Sequence, residues 1–330
     1  MTAMLLDAPR TALRCARMAI PAPGAHEVLI RAGVCGVCRT DLHIADGDLA
    51  PHLLPLVPGH EIVGVIVERG AQVTRFAPGQ RIGVPWLGGT CGVCRYCHEA
   101  RENLCDTPVL TGHDRHGGFA EYAVADARYC LALPDAYDDA HAAPLLCAGP
   151  IGYRAYAMTG AARRLGLYGF GAAAHILTQL AVRQGKEVYA FTRPGDLRSQ
   201  QFALSLGAAW AGASDCAAPA LLDAAILFAP LGALVPMALR ATCKGRMVVC
   251  AGIHMSDIPA LPYALLWGER CVRSVANLTR ADGEAFFALV ANGEVRTMPR
   301  TFGLREANHA LDALRDGAID GAAVLLPGAG

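Results

Sequence analysis

RLGLYGFGAAAHILTQLAVRQGKEVYAFTR, residues 164–193, changes its periodicity three times. RLGLY is a short, mostly apolar run with the length of a buried strand. GFG turns the chain, and AAAHILTQLAVR then spaces its apolar positions as a helix does, until Gly185 closes it. EVYAFTR (187–193) reads as a second buried strand. Strand, turn, helix and strand within about 30 residues make a βαβ unit, whose two strands run parallel. The same alternation continues downstream. DLRSQQFALSLG reads as a helix, DAAILFAP (223–230) and RMVVCAG (246–252) as buried strands, and LVPMALRAT as the helix between them. This order predicts an α/β fold with a doubly wound parallel sheet.

The turn itself carries chemistry. GFGAAA (169–174) fits G-x-G-x-x-[GA]. Gly169 permits the tight turn, Gly171 lets backbone approach a pyrophosphate, Ala172 opens the helix, and Ala174 allows close helix–strand packing. The helix N-terminus adds N–H donors and a favourable dipole. These are the expected cofactor-binding positions of a Rossmann dinucleotide fold, although a plain strand–helix turn has the same outline. The strand after that helix ends Phe191-Thr192-Arg193, where an NAD-binding fold usually carries an acid for the ribose 2′-hydroxyl. Asp196 comes late for that role. Thr192 and Arg193 therefore fall at the ribose position, and a guanidinium there suits a 2′-phosphate, so the expectation leans to NADP(H) over NAD(H).

Residues 1–150 have a different texture. EVLIRAGV (27–34) and IVGVIVERG (62–70) are strand-like, separated by turn signals such as APGQ (77–80). After about residue 285, AFFALVANGEV and LREANHALDALRDG read as helices and AAVLLP as a short strand. The dinucleotide block, 151–285, thus interrupts a β-rich domain made of 1–150 and 286–330. A chain of 330 residues suits two such domains.

Lys+Arg and Asp+Glu both number 29, which gives no electrostatic reason to expect nucleic acid or an anionic membrane as partner. No apolar run of about 18 residues reads as a membrane span, and the start, MTAMLLDAPR, does not read as a signal peptide. The expected compartment is the cytoplasm. Thirteen cysteines there argue against a disulfide scaffold and turn attention to metal.

Cys91-x2-Cys94-x2-Cys97-x7-Cys105 is the strongest such signal. Four thiolates at these spacings can close a tetrahedral shell around zinc and leave no open position. An iron–sulfur cluster uses similar ligands, but nothing else in the chain points to electron transfer through one. Three further pieces are weak alone: Cys38 in GVCRTDLH (36–43), His60 and Glu61 in PGHE (58–61), and Cys147 in LLCAGP (145–150). Together, Cys38, His60 and Cys147 would supply two thiolates and one imidazole, a catalytic zinc pattern with one position open.

In order and rough spacing, these segments and YGFGAAA resemble the zinc-dependent medium-chain alcohol dehydrogenases over nearly the whole chain. The resemblance implies a GroES-like catalytic domain beside the Rossmann domain, two zinc ions per chain and a nicotinamide cofactor. It implies that Cys38, His60 and Cys147 hold the catalytic zinc with Glu61 behind it, and that the four-cysteine loop holds the structural zinc. Thr40 and His43 would form the proton relay, with the cofactor ribose between them, and Arg39 would reach the pyrophosphate. Asp41 would orient His60 by accepting its ring N–H. Trp86 and Leu87 would line the substrate pocket, Trp86 narrowing it toward slim primary alcohols, and Ile151 would back the nicotinamide. The chain departs from the family where a second arginine often sits near the C-terminus: IDGAAVLL has Ala322 and Ala323 there.

The expected function is reversible hydride transfer between a primary alcohol or aldehyde and NAD(P). The alternatives are an aldehyde reductase of cinnamyl- or polyol-type specificity on the same fold, and a silent zinc and dinucleotide binder acting as a redox sensor. Relatives of this kind pair as homodimers or homotetramers, and ERCVRSVANL (269–278) is a candidate edge for that contact.

Overall fold

The computed structural model describes residues 1–319 and 321–328. The chain forms two units, Met1–Pro150 with Asn277–Gly293 and Thr297–Gly330, and Ile151–Ala276 with Glu294–Arg296. In chain order the first unit supplies β1 (Glu27–Val37), α1 (Arg39–Asp46), β2 (Glu61–Arg69), β3 (Arg81–Val84), β4 (Tyr122–Asp126) and β5 (Leu131–Ala132), and the helix α2 (Ala148–Met158) leads out of it. The second unit supplies β6 (Arg164–Tyr168), α3 (Ala172–Arg183), β7 (Glu187–Thr192), α4 (Leu197–Ser205), β8 (Trp210–Ala213), β9 (Leu222–Leu227), α5 (Leu234–Ala241), β10 (Thr242–Cys250) and β11 (Cys271–Ser274). The chain then returns to the first unit with α6 (Arg280–Leu289), β12 (Pro299–Gly303), α7 (Ala307–Arg315) and β13 (Ala322–Leu326).

The second unit is the expected Rossmann sheet, in the order β8-β7-β6-β9-β10-β11 with every pairing parallel. Alternate residues of each strand point to opposite faces. Leu165, Leu167, Val188, Ile226 and Val249 enter one core, with Leu177 and Leu180 of α3. Tyr168, Phe191, Leu227 and Val248 enter the other, with Val235 and Leu239 of α5. Two covered faces explain why these strands read as continuous apolar runs. Gly169 follows β6 with φ of 88°, and a Cβ there would stand 2.7 Å from the backbone nitrogen of Ala229, so only glycine fits. The turn lies where the strand order reverses, between β6 and β9, the usual ligand position in such sheets.

The first unit is a sheet in the order β12-β13-β1-β2-β3-β5, with β4 also paired to β1. Its pairings are antiparallel except β12 with β13. Its core is built on Ile30, Ile62, Ile66, Ile82, Phe119 and Leu325. This is the GroES-like unit.

The chain re-enters this unit at Asn277, earlier than the 286 read from sequence. The reason is α6. Thr279 Oγ1 accepts from the Asp282 N–H at 3.1 Å, and Asp282 Oδ2 accepts from the Thr279 N–H at 2.8 Å. This reciprocal cap starts the helix before its apolar stretch begins, and the helix then buries Phe286 and Phe287. Glu294–Arg296 goes with the second unit, where the Arg296 carbonyl accepts from His175 Nε2 at 2.8 Å and from Gln179 Nε2 at 3.0 Å. Among the described residues, no helix is long and apolar enough to cross a membrane.

Candidate active site

GVCRTDLH reads from sequence as one loop, and here the structure corrects the reading. The strand β1 runs to Val37, Cys38 caps α1, and Arg39, Thr40, Asp41 and His43 lie on the helix. The Cys38 N–H donates to Asp41 Oδ2 at 2.8 Å, closing the first turn from its third residue. The helix is only eight residues long and its cap is a cysteine, so the usual start signals are missing. Its period puts Thr40 and His43 on one face.

The next strand brings His60 and Glu61 to the same place. Gly59, with φ of 99°, turns the chain into β2, and its N–H donates to Asp41 Oδ1 at 3.2 Å. His60 Nδ1 lies 3.2 Å from the same oxygen, and both side chains are fully buried. Asp41 thus fixes the ring as expected. The other ring nitrogen, Nε2, is buried and has no hydrogen-bond partner. Cys147, just ahead of α2, completes the group: its Sγ lies 3.8 Å from Cys38 Sγ. Donor atoms of Cys38, His60, Glu61 and Cys147 all lie within 4.8 Å of one another.

These distances fit zinc. A tetrahedron with zinc–sulfur bonds of about 2.3 Å has sulfur–sulfur edges of about 3.8 Å. That is the Cys38–Cys147 separation, and it is far too long for a disulfide. An orphaned buried imidazole nitrogen costs free energy unless something accepts its lone pair. The charges agree as well. The two thiols titrate as one pair: hydrogen bonding from Cys147 holds Cys38 well below its usual value, and the same contact pushes Cys147 up. Burial, and then the charge on Cys38, raise the Glu61 carboxyl well above its usual range. Burial opposes a charge on His60, but Asp41 and Cys38 outweigh it and raise its pKa. The pocket therefore favours positive charge at the point these donors surround, which a dication satisfies.

The four-cysteine loop is equally well formed. Cys105 Sγ lies 3.5 Å from Cys91 Sγ, Cys94 Sγ 3.7 Å from Cys97 Sγ, and Cys91 Sγ 4.0 Å from Cys97 Sγ. Backbone N–H groups of Val93 and Cys94 lower the Cys91 pKa to about 6, while burial raises Cys105 to about 11.

Around the first cluster, Thr40 is buried with its Oγ1 3.7 Å from Cys38 Sγ. His43 Nδ1 lies 2.9 Å from Asp48 Oδ2, a partner that sequence reasoning missed. Trp86 meets the His60 ring edge-to-face, with centroids 4.9 Å apart. Leu87 is 1% exposed and pairs with Leu110. Arg39 is exposed. In the second unit, Gly171 caps α3, Ala172 starts it and Ala174 is fully buried. Thr192 ends β7 and accepts from Gln200 Nε2 at 3.0 Å. Arg193 is exposed. Asp196 Oδ1 accepts from the Ser199 N–H at 3.1 Å as the cap of α4. Ile151 is half-buried on α2 against that unit's core.

The model of the alcohol dehydrogenase GroES-like domain matches residues 24–135. The chain is 46% identical over 315 residues to the probable alcohol dehydrogenase AdhA of Mycobacterium tuberculosis, covering 93% of this chain and 90% of that one. The chain belongs to the zinc-dependent medium-chain alcohol dehydrogenases. An alcohol dehydrogenase of Geobacillus stearothermophilus is 35% identical over 311 residues, covering 91% of each chain. Among solved structures, the fold is similar to that of a thermostable alcohol dehydrogenase from Pyrobaculum aerophilum, with a TM-score of 0.90 at 25% identity over 99% of both chains. Another structure of that enzyme is cobalt- and zinc-bound. For an alcohol dehydrogenase, a metal centre and a nicotinamide fold in one chain are the two parts the chemistry needs. Sequence reasoning missed a further group of candidate metal donors, His52 and His113 gathered around Asp114. His113 and Asp114 are neighbours, but His52 lies far from them in sequence and the three follow no ligand spacing, so no local signal marks them.

Proposed function

We propose that this alcohol dehydrogenase interconverts a primary alcohol and its aldehyde, and that it favours NADP(H). The observation that carries the reading is the 3.8 Å sulfur pair facing the orphaned His60 Nε2. In this reading the first unit is catalytic and the second binds cofactor. Cys38, His60 and Cys147 hold a catalytic zinc with Glu61 behind it, and Cys91, Cys94, Cys97 and Cys105 hold a structural one. When bound, the catalytic zinc would polarise the alcohol or carbonyl oxygen, and the nicotinamide would accept or supply the hydride.

The chain's own residues do the rest. Asp41 keeps the proton on His60 Nδ1, which turns Nε2 into the donor atom. The Thr40 hydroxyl both donates and accepts, so it can take the alcohol's proton while passing on its own. With His43 Nδ1 donating to Asp48, Nε2 of that ring is the base at the solvent end of the relay. Trp86 walls the site beside His60 and favours slim chains. We predict that Trp86→Ala speeds turnover of bulky alcohols relative to ethanol; unchanged relative rates would contradict that placement. Arg39 offers an exposed guanidinium to the cofactor pyrophosphate, and Ile151 an apolar face to the nicotinamide. Gly169, Gly171, Ala172 and Ala174 shape the phosphate turn. Arg193 takes the 2′-phosphate where Asp196 is already engaged as a helix cap. The edge strand β11 suits self-pairing into a homodimer or homotetramer, and the proposed compartment is the cytoplasm.

Initial rates of reduction of one aromatic aldehyde with NADPH and with NADH test the cofactor assignment. The expected result is a preference for NADPH that Arg193→Ala removes through a raised KM for NADPH alone. A preference for NADH in the unaltered enzyme would contradict it.

A further inference from the structure

Among the described residues, one set of metal donors lies outside the two cysteine-based clusters. His52, His113 and Asp114 bring their donor atoms within 4.8 Å of one another. They come from two separate loops. Asp114 sits in a tight turn, where its Oδ2 accepts from the Leu110 N–H at 2.7 Å. That bond fixes the carboxylate and leaves Oδ1 pointing at both rings. His52 Nδ1 and His113 Nδ1 each lie 2.7 Å from this one oxygen, and the ring centroids are 5.1 Å apart. Two imidazole nitrogens and a carboxylate oxygen thus converge on one small region. Around a tetrahedral ion with bonds of about 2.0 Å, donor–donor edges are about 3.3 Å. An outward shift of roughly half an ångström per donor would open that space. His52 is an exposed side chain at 77%, so it can make the shift freely and leaves room for water as a further ligand.

We propose that His52, His113 and Asp114 form a third metal site, which takes a divalent transition ion suited to imidazole, such as Ni2+, Co2+ or Zn2+. In it each neutral ring carries its one proton on Nε2, leaving the Nδ1 lone pair for the ion, and Asp114 turns from hydrogen-bond acceptor to ligand. The ion would tether the loop bearing His52 to the turn bearing Asp114. The site also touches the pocket wall, because the His113 ring meets Trp86 edge-to-face at 5.8 Å. The proposal does not depend on the reaction assigned to the enzyme.

Calorimetric titration with Ni2+ of enzyme holding two zinc ions per chain, one for each cysteine-based cluster, tests it. The expected result is one equivalent bound by the unaltered enzyme, with affinity falling at least tenfold in His52→Ala and again in Asp114→Asn. His52→Ala changes only an exposed side chain, and Asp114→Asn keeps an oxygen for the Leu110 N–H, so neither variant threatens the fold. Absence of binding by the unaltered enzyme would overturn the proposal. So would binding that survives unchanged in either variant, since the ion would then sit elsewhere.

Discussion

At the scale of single residues, Asp41 and Thr40 are the sharpest tests of the metal centre. Asp41→Asn removes the carboxylate that fixes the His60 tautomer, and partners of this kind are worth about 10–100-fold in metal affinity. We expect that loss in a chelator competition, with the four-cysteine zinc unaffected. Thr40→Val keeps the shape beside Cys38 but cannot move a proton. It should lower kcat for alcohol oxidation by about 10²-fold or more, with little change in zinc content. Both residues draw attention in the sequence because they stand in one short segment with Cys38. Asp48, the partner of His43, does not, since nothing in GDL marks that acid as aimed back at a helix. His52, His113 and Asp114 were still less legible. Folding alone brings His52 to the other two.

The elements repeat this lesson. Strands β6, β7, β9 and β10 were readable because burial on both faces makes their apolar runs continuous. WAGA of β8 and PRTFG of β12 give no such signal, being short and rich in small or polar residues. The helix α1 is hard to read from sequence because a cysteine caps it and only eight residues follow. The turn after β6 carries its own prediction. Gly169→Ala forces a Cβ onto Ala229 and a side chain into positive φ. A residue held there costs about 1–3 kcal/mol, so thermal unfolding should come earlier and cofactor binding should weaken. In the first unit, Cys94→Ser should release one zinc and make residues 91–105 sensitive to protease. Zinc retention at the unaltered level would contradict the four-sulfur assignment.

For the whole molecule, one buried imidazole, His175, and one half-buried one, His116, set a pH dependence of stability. Burial pushes the pKa of His175 and of His116 below the ordinary 6.5. As pH falls through 6.5, the unfolded chain takes up these protons more readily than the folded one. Their contribution is therefore present above about pH 6.5 and is lost as pH falls toward the folded values. The melting temperature should decline over that window, and His175→Gln should make the decline shallower. The switch in periodicity near Cys147 is legible in the sequence, and the first of the two units runs to Pro150 before it resumes at Asn277. The return point is not, because the cap at Thr279 precedes the apolar face of its helix. The central claim is that Cys38, His60 and Cys147 hold the zinc that makes this chain a dehydrogenase. The most direct test is the rate of benzaldehyde reduction by NADPH in the zinc-loaded enzyme, compared with Cys147→Ser. The account predicts clear turnover in the first, and in the second a fall of about 10³-fold or more with one zinc fewer per chain. Undiminished turnover in Cys147→Ser, or none in the zinc-loaded enzyme, would contradict it.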